Sequence, residues 1–208
     1  STKTGIPTRT MIGQRVAVIG AGNTAIDGAT CSVRLGAANV KMVYRRTREE
    51  MTAYDFEYEF AKQEGVEFSW LTLPKRIVGD ELGKVTGLEC IQMKLTGEMG
   101  RDGRLVPMPI EGSEFIMPVD AVVIAIGQQR RTDLIDAFGL RHDWGVVDID
   151  ETTYRTSDPQ IYAAGDIVFG SGKGEAMVVS AAQQGKDAAH AIAQHFLPQP
   201  TSVIGSVV

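Results

Sequence analysis

Residues 16–27, Val-Ala-Val-Ile-Gly-Ala-Gly-Asn-Thr-Ala-Ile-Asp, constrain this chain more than any other stretch. The run 16–19 is apolar and mostly β-branched, the composition of a strand buried in a parallel sheet. It leads directly into Gly20-Ala-Gly22-Asn-Thr-Ala25, which has the spacing G-x-G-x-x-G/A. Gly20 suits the tight turn, Gly22 leaves room for a diphosphate against the backbone, and Ala25 lets the following helix pack close to the strand. Asn23 and Thr24 open that helix, whose first N–H groups and positive dipole end point at bound phosphates. The strand before and the helix after give the spacing its meaning. The plainer alternative is a glycine-rich turn with no ligand.

Ala25, Ile26, Ala29 and Val33 recur at helical spacing and predict a helix over 23–35, with Gly36 as its C-terminal cap. A second strand over 40–44 completes a βαβ unit. An NAD-binding unit carries an Asp or Glu at the end of that strand to hold the ribose 2′-hydroxyl. Here Arg45 and Arg46 take the place. Guanidinium groups bind a 2′-phosphate that a carboxylate repels, through charge-assisted and often bidentate hydrogen bonds. At roughly 1.5–3 kcal/mol each, two such bonds predict on the order of a hundredfold preference for NADP(H). Glu49 and Glu50 follow closely and work against it. The alternative is a basic, solvated strand end.

Thr52 and Asp55 read as a capping pair for a helix over 52–64, with Phe56 and Phe60 on one face, Tyr54 and Tyr58 on another, and Gly65 closing it. Residues 66–73 alternate as a third strand that Pro74 ends. Short alternating runs at 76–78, 85–95, 105–110 and 114–117, separated by glycine turns, then predict an antiparallel meander. The glycines at 97, 100 and 103 lie between strands, so they form no phosphate loop. Residues 120–126 return to a buried strand closed by Gly127, its carboxyl end beside that of the first strand, where ligands sit in open α/β sheets. Arg130 and Arg131 read as solvated loop residues, and 132–155 as an amphipathic segment plus a hairpin at Trp144-Gly145. A strand over 161–164 carries Gly165-Asp166 at its end, followed by a glycine loop at 170–174 and a helix over 175–195. That loop is no triphosphate loop, because Gly174 follows Lys173. Asp166 also fits an ordinary cap.

At 208 residues the chain suits one or two domains. Its net charge of -5 argues against nucleic acid or an anionic membrane as a main partner. No apolar run reaches transmembrane length, and no signal-peptide core opens the chain. Cys31 and Cys90 are its two cysteines, with no C-x-x-C, which leaves no redox disulfide motif or cysteine-ligated iron–sulfur cluster within it. Both read as small buried hydrophobes, and a cytoplasmic setting follows by default. His142, His190 and His195 form no cluster and read as surface residues.

Taken together, 18–27, 43–51, 121–127 and 161–168 resemble the two-dinucleotide-binding flavoprotein oxidoreductases, above all the NADPH-binding part of the glutamate synthase small subunit and of dihydropyrimidine dehydrogenase. The likeness runs from about 13 to 197. It implies that Gly20, Gly22, Asn23, Thr24, Ala25, Arg45, Arg46 and Gly127 surround NADP(H), and that Gly165 and Asp166 hold the ribityl and phosphate region of FAD. It also implies that the helix start at Ala176, Met177 and Val178 faces the flavin pyrimidine edge, where the dipole stabilises reduced flavin. Two features depart from the family: no strand–glycine–helix unit precedes Met11, and the iron–sulfur cysteines are missing.

The resemblance therefore implies a fragment: a linker (1–12), an NADP(H)-binding domain (13–127), the trailing part of a split FAD-binding domain (128–197) and a tail (198–208). The expected fold is α/β, a Rossmann-like parallel sheet with helices on both faces, an antiparallel meander and an incomplete second lobe. The implied activity passes hydride from NADPH to FAD and on to an electron-acceptor subunit or domain, an iron–sulfur or FMN protein among the options, with no catalytic acid or base. The missing N-terminal FAD half is a further implied partner. The alternative is a non-catalytic NADP(H)-binding module lacking flavin. A disulfide reductase fails for want of paired cysteines.

Overall fold

The computed structural model describes residues 12–100, 103–169 and 177–197. Contacts divide the chain into two compact units, Ser1–Gly127 and Gln128–Val208. Residues 1–11 of the expected linker and the tail 198–208 lie outside the described residues.

In the first unit, β1 (Arg15–Ile19), α1 (Asn23–Arg34) and β2 (Asn39–Val43) make the predicted βαβ unit, and α2 (Asp55–Gln63) leads to β3 (Glu67–Ser69). Three long strands follow, β4 (Thr72–Gly79), β5 (Val85–Met99) and β6 (Leu105–Met117), before β7 (Ala121–Ile124). The short strands form a parallel sheet in the order β3-β2-β1-β7, and the long ones an antiparallel sheet in the order β4-β5-β6.

Side-chain alternation decides what covers each face of the parallel sheet. Val16, Val18, Val40 and Met42 point to the side where Ala25, Ile26 and Ala29 of α1 and Ala61 of α2 pack. Each is almost fully buried, contributing roughly 1.5–3 kcal/mol relative to exposure. Ala17 and Val43 point the other way, onto Leu88 and Cys90 of β5 and Val119. The α/β class stands, and among the described residues the second face is layered by the antiparallel sheet where helices were expected. The period-2 pattern of β5 supplies the apolar stripe that makes this possible.

Helix ends follow local chemistry. Gly36 has φ +96°, its N–H donates to the Val33 carbonyl, and the Ala37 N–H donates to that of Ser32, a Schellman closure. Gly65 closes α2 in the same way, through Lys62 and Ala61. The start of α2 differs from expectation. Thr52 and Asp55 make no cap; the helix begins at Asp55 behind Tyr54, without a side-chain cap. The capping box lies one motif earlier, where Thr47 and Glu50 close a short 3-10 turn at Arg48–Glu50.

Pro74 does not end a strand. Leu71, at φ +49°, breaks the third run, and Pro74 lies inside β4, an edge strand with a register shift between Pro74 and Arg76. An edge strand tolerates a residue with no N–H to donate.

The second unit contains α3 (Asp133–Ala137), a two-stranded hairpin of β8 (His142–Asp143) and β9 (Val146–Val147), a 3-10 turn at Gly165–Ile167, and α4 (Val178–Phe196). The strand expected over 161–164 is reduced to a single bridge between Arg155 and Tyr162. Its backbone pairs only with 154–156, where the Ala163 N–H donates to the Tyr154 carbonyl and the Thr156 N–H to that of Ile161, too short a match to make a strand. Arg130 is not simply solvated: it donates to the Phe169 carbonyl at 2.8 Å and to that of Gly145 at 3.4 Å. Arg131 pairs with Asp133 on the surface.

Candidate functional site

The glycine turn joins three strands. Gly20 has φ +131° and its N–H donates to the Val43 carbonyl at 3.1 Å, while the Ala125 N–H donates to the Ile19 carbonyl at 2.8 Å. A Cβ on Gly20 would stand 2.2 Å from the Ala125 carbonyl oxygen. Gly22 differs. It is extended, at φ -94°, and the nearest atom to a Cβ there is the Thr52 hydroxyl at 3.4 Å. Nothing in the backbone demands glycine at that position; its small size leaves the approach to the N-terminus of α1 open. Ala25 is fully buried, and Gly28 completes the close helix–sheet contact against Val123 and Val18.

The N-terminus of α1 has no side-chain cap and no acidic residue in its first turn, so its positive end is not offset locally. A strap crosses the turn. The N–H groups of Thr52 and Ala53 donate to the Ala21 carbonyl at 3.2 and 3.0 Å. The Tyr54 N–H donates to Asn23 Oδ1 at 3.3 Å. Asn23 thus braces α2 against α1, while Thr24 is exposed.

The two arginines separate. Arg45 is exposed and lines a cleft of about 380 Å3 with Gly20, Tyr44, Leu73, Pro74 and Ile126. Arg46 is 5% exposed and its Nε donates to the Leu105 carbonyl of β6 at 2.9 Å. The pair read from the sequence is therefore split, for a simple reason: consecutive residues at the end of a strand point to opposite faces. Glu50 is turned toward the Thr47 N–H and hydroxyl. The nearby Thr47 side chain and the backbone N–H of Glu49 itself hold the Glu49 carboxyl below the ordinary carboxylate range. Arg48 pairs with Asp55 and lies over the Tyr58 ring, 4.2 Å from its centroid.

The cleft also has walls that local patterns did not indicate. The Tyr44 hydroxyl donates to the Glu50 carbonyl at 2.9 Å and accepts from Arg104 at 3.3 Å. Leu73 and Pro74 arrive because the Leu71 N–H donates to the Arg46 carbonyl and the Thr72 N–H to that of Tyr44, which folds β4 over the end of β2. No short-range signal marks these residues. Gly127, at φ +93°, is exposed and ends the first unit.

In the second unit Gly165 is buried at φ +80°, and its N–H donates to Gln184 Oε1 of α4 at 2.7 Å. Asp166 beside it is exposed. The first turn of α4 has no acidic residue and no side-chain cap. Met177 is exposed, and Val178 is 87% exposed. Ala176 and the loop at 170–174 lie outside the described residues.

Among the described residues no group of His, Cys, Asp and Glu is placed to hold a metal. The cysteines do not pair. Cys31 is exposed on α1, against expectation, while Cys90 is buried under the opposite face of the sheet. Burial pushes the Cys90 thiol up to about 11. His142 is half-buried, accepting from the Gly145 N–H at 3.1 Å and bonded to Asp136 at 3.0 Å. No described helix is long and apolar enough to cross a membrane.

Known proteins resemble this chain in sequence and in fold. The beta subunit of the NADP(+)-dependent formate dehydrogenase of Moorella thermoacetica is 40% identical over 190 residues, covering 91% of this chain and 26% of that protein. The glutamate synthase (NADPH) small chain of Azospirillum brasilense is 38% identical over 198 residues, covering 92% of this chain and 39% of its own. The chain thus spans well under half the length of these two relatives. Among solved structures, T. acidophilum thioredoxin reductase superposes with a TM-score of 0.71 at 25% identity, covering 90% of this chain and 54% of that one. The pattern of one family, described as pyridine nucleotide-disulphide oxidoreductase, matches residues 1–185. The chain belongs to the pyridine nucleotide-disulphide oxidoreductase family, and within it is glutamate synthase small subunit-like.

Proposed function

We propose that this chain is the NADPH-binding module of a flavoprotein oxidoreductase, joined to the trailing part of its FAD domain. The observation that carries the reading is the cleft at the carboxyl ends of β1, β2 and β7, which brings Gly20 and the exposed Arg45 together beside an uncapped helix N-terminus. A diphosphate fits there: Gly22 keeps the approach clear, the first N–H groups of α1 donate, and Arg45 takes the adenosine 2′-phosphate. The relatives named for NADPH or NADP(+) support the choice. Arg46 contributes from behind, holding the strand end in place.

The second unit fits the flavin partially. Gly165 supplies a backbone bend at φ +80° that favours glycine, Asp166 is exposed for a ribityl hydroxyl, and Met177 and Val178 present an apolar edge at the start of α4. When both cofactors are bound, the chemistry supplied is hydride transfer from the nicotinamide to the flavin. The residues here bind, orient and stabilise charge; none serves as acid or base. Electrons then leave to an acceptor subunit or domain, in line with relatives named as a subunit and a small chain of larger enzymes.

A second reading, a nucleotide-binding module without flavin, is favoured by the turn at Gly165–Ile167, which among the described residues follows a single bridge where the turn at Gly20 follows a paired strand. Calorimetric titration with NADPH and NADH, together with anaerobic reduction of the full-length protein reconstituted with FAD, separates the two. Bleaching of the flavin band by NADPH supports the oxidoreductase. Nucleotide binding with no flavin uptake supports the module, and equal affinity for the two nucleotides overturns the NADPH assignment.

A further inference from the structure

The first unit carries a second groove, between α1 and α2, that the nucleotide reading does not use. Its volume is about 600 Å3, and Ile26, Phe56 and Phe60 form its apolar part. Phe56 is 71% exposed and Phe60 45%. One exposed phenylalanine is ordinary; two on successive turns of one helix beside a groove mark a surface that something covers.

The rim is acidic, with Asp27 from α1 and Glu57 and Glu59 from α2. The cation at the groove, Arg34, is held by Glu64 at 2.6 Å and lies over the Phe60 ring. Glu59 pairs with Lys62 at 3.4 Å across exposed surface. Among the described residues Glu57 has no cation beside it: its Oε2 is buried without a hydrogen-bond partner, as is the second oxygen of the Arg34-paired Glu64. Burial and the neighbouring Asp27 push the Glu57 carboxyl above the ordinary carboxylate range. A shielded carboxylate oxygen without a donor is a standing cost that an incoming cationic N–H removes.

We propose that the α1–α2 groove docks a cationic, apolar-flanked segment of a partner protein, with a lysine or arginine reaching Glu57 and Asp27 and aliphatic side chains lying on Phe56 and Phe60. Charge complementarity selects this occupant: the acidic rim repels a carboxylate-rich segment, and the orphaned oxygen calls for a donor where a methyl group would leave it unsatisfied. Exposed aromatic rings beside a half-buried carboxylate are the kind of anchor such interfaces use. The inference does not rest on the nucleotide reading, because none of these side chains lines the nucleotide cleft.

The test is fluorescence anisotropy of a short fluorescein-labelled amphipathic peptide, leucines on one face and lysines along its edge, titrated with the full chain. Saturable binding is expected, weakened about tenfold by Glu57→Gln and by Phe56→Ser. Glu98→Gln, a charge-matched change on β5, should leave it unaltered. Phe56 is exposed and Glu57 half-buried, and circular dichroism checks the fold; should the serine variant unfold, the isosteric glutamine variant decides. Equal weakening by Glu98→Gln, or none by Glu57→Gln, overturns the proposal. So does a dimer of this chain that Glu57→Gln abolishes, since the groove would then hold a second copy. NADPH affinity measured on the same variants should not change, which keeps a failure here distinct from a failure of the cofactor assignment.

Discussion

The Ala125 carbonyl oxygen occupies the space a side chain on Gly20 would need: a Cβ there would lie 2.2 Å away. The first glycine of the fingerprint is therefore required by the neighbouring strand as much as by its own turn. β7 arrives more than a hundred residues later in the chain and still dictates what residue 20 can be.

Gly20→Ala and Gly22→Ala should consequently separate. At residue 20 the left-handed backbone and the clash combine to cost about 2–5 kcal/mol, seen as a large fall in the urea midpoint. At residue 22 the backbone is extended, and the change should cost about 1 kcal/mol or less while NADPH affinity falls sharply. Similar midpoints for the two variants would refute this division.

The arginines should separate in the opposite sense. Arg45→Gln should weaken NADPH binding about tenfold or more, leave NADH binding nearly unchanged, and leave thermal stability intact. Arg46→Met leaves the Leu105 carbonyl without its donor and should cost about 1–3 kcal/mol of stability. Calorimetric affinities and melting curves on the same preparations check both halves.

Acid should loosen the junction of β1 and β7. The Arg15 guanidinium, together with the backbone N–H groups of Arg15 and Gln14, holds the Asp120 carboxyl at about 2, below its ordinary 3.8. A carboxyl lowered by folding stabilises the native state above its unfolded value and loses that contribution as pH falls through the folded one. Melting temperature should drop between pH 3.8 and about 2, and Asp120→Asn should flatten that acid limb. Glu57 has the opposite sign, since its raised carboxyl takes up a proton more readily in the folded state.

The thiols should report the layering. Cys31 is exposed and Cys90 buried, the latter pushed up to about 11. Ellman's reagent should release one equivalent from the native chain and the second only on unfolding. Cys31→Ser should abolish the native signal.

Local chemistry was legible wherever neighbours in sequence are neighbours in space. Both glycine helix ends could be read from spacing alone, because their bonds lie within a few residues; the βαβ unit and the meander, whose strands join residues as distant as Arg15 and Asn39 or Leu88 and Met117, showed instead through apolar periodicity and glycine turns. The split of Arg45 and Arg46 was legible in principle from strand alternation, and the capping box at Thr47 competed with an equally plausible one at Thr52. The outcome at 161–164 was not legible, since the length of a strand is set by how far its partner runs alongside, and 154–156 pairs at a single bridge.

Order along the chain was enough to specify a helix start, a glycine turn and a basic strand end. Assembly of the fold chose which of those groups meets the cleft: the Leu105 carbonyl, 59 residues from Arg46, captures one guanidinium and leaves the other outward. Leu73 and Pro74 join the same wall because β4 folds over the end of β2, and Ile126 joins it because β7 pairs with β1. Hydrogen bonds within a turn are encoded by its own residues, whereas burial and the shape of a cleft are properties of surfaces that come together from distant parts of the chain.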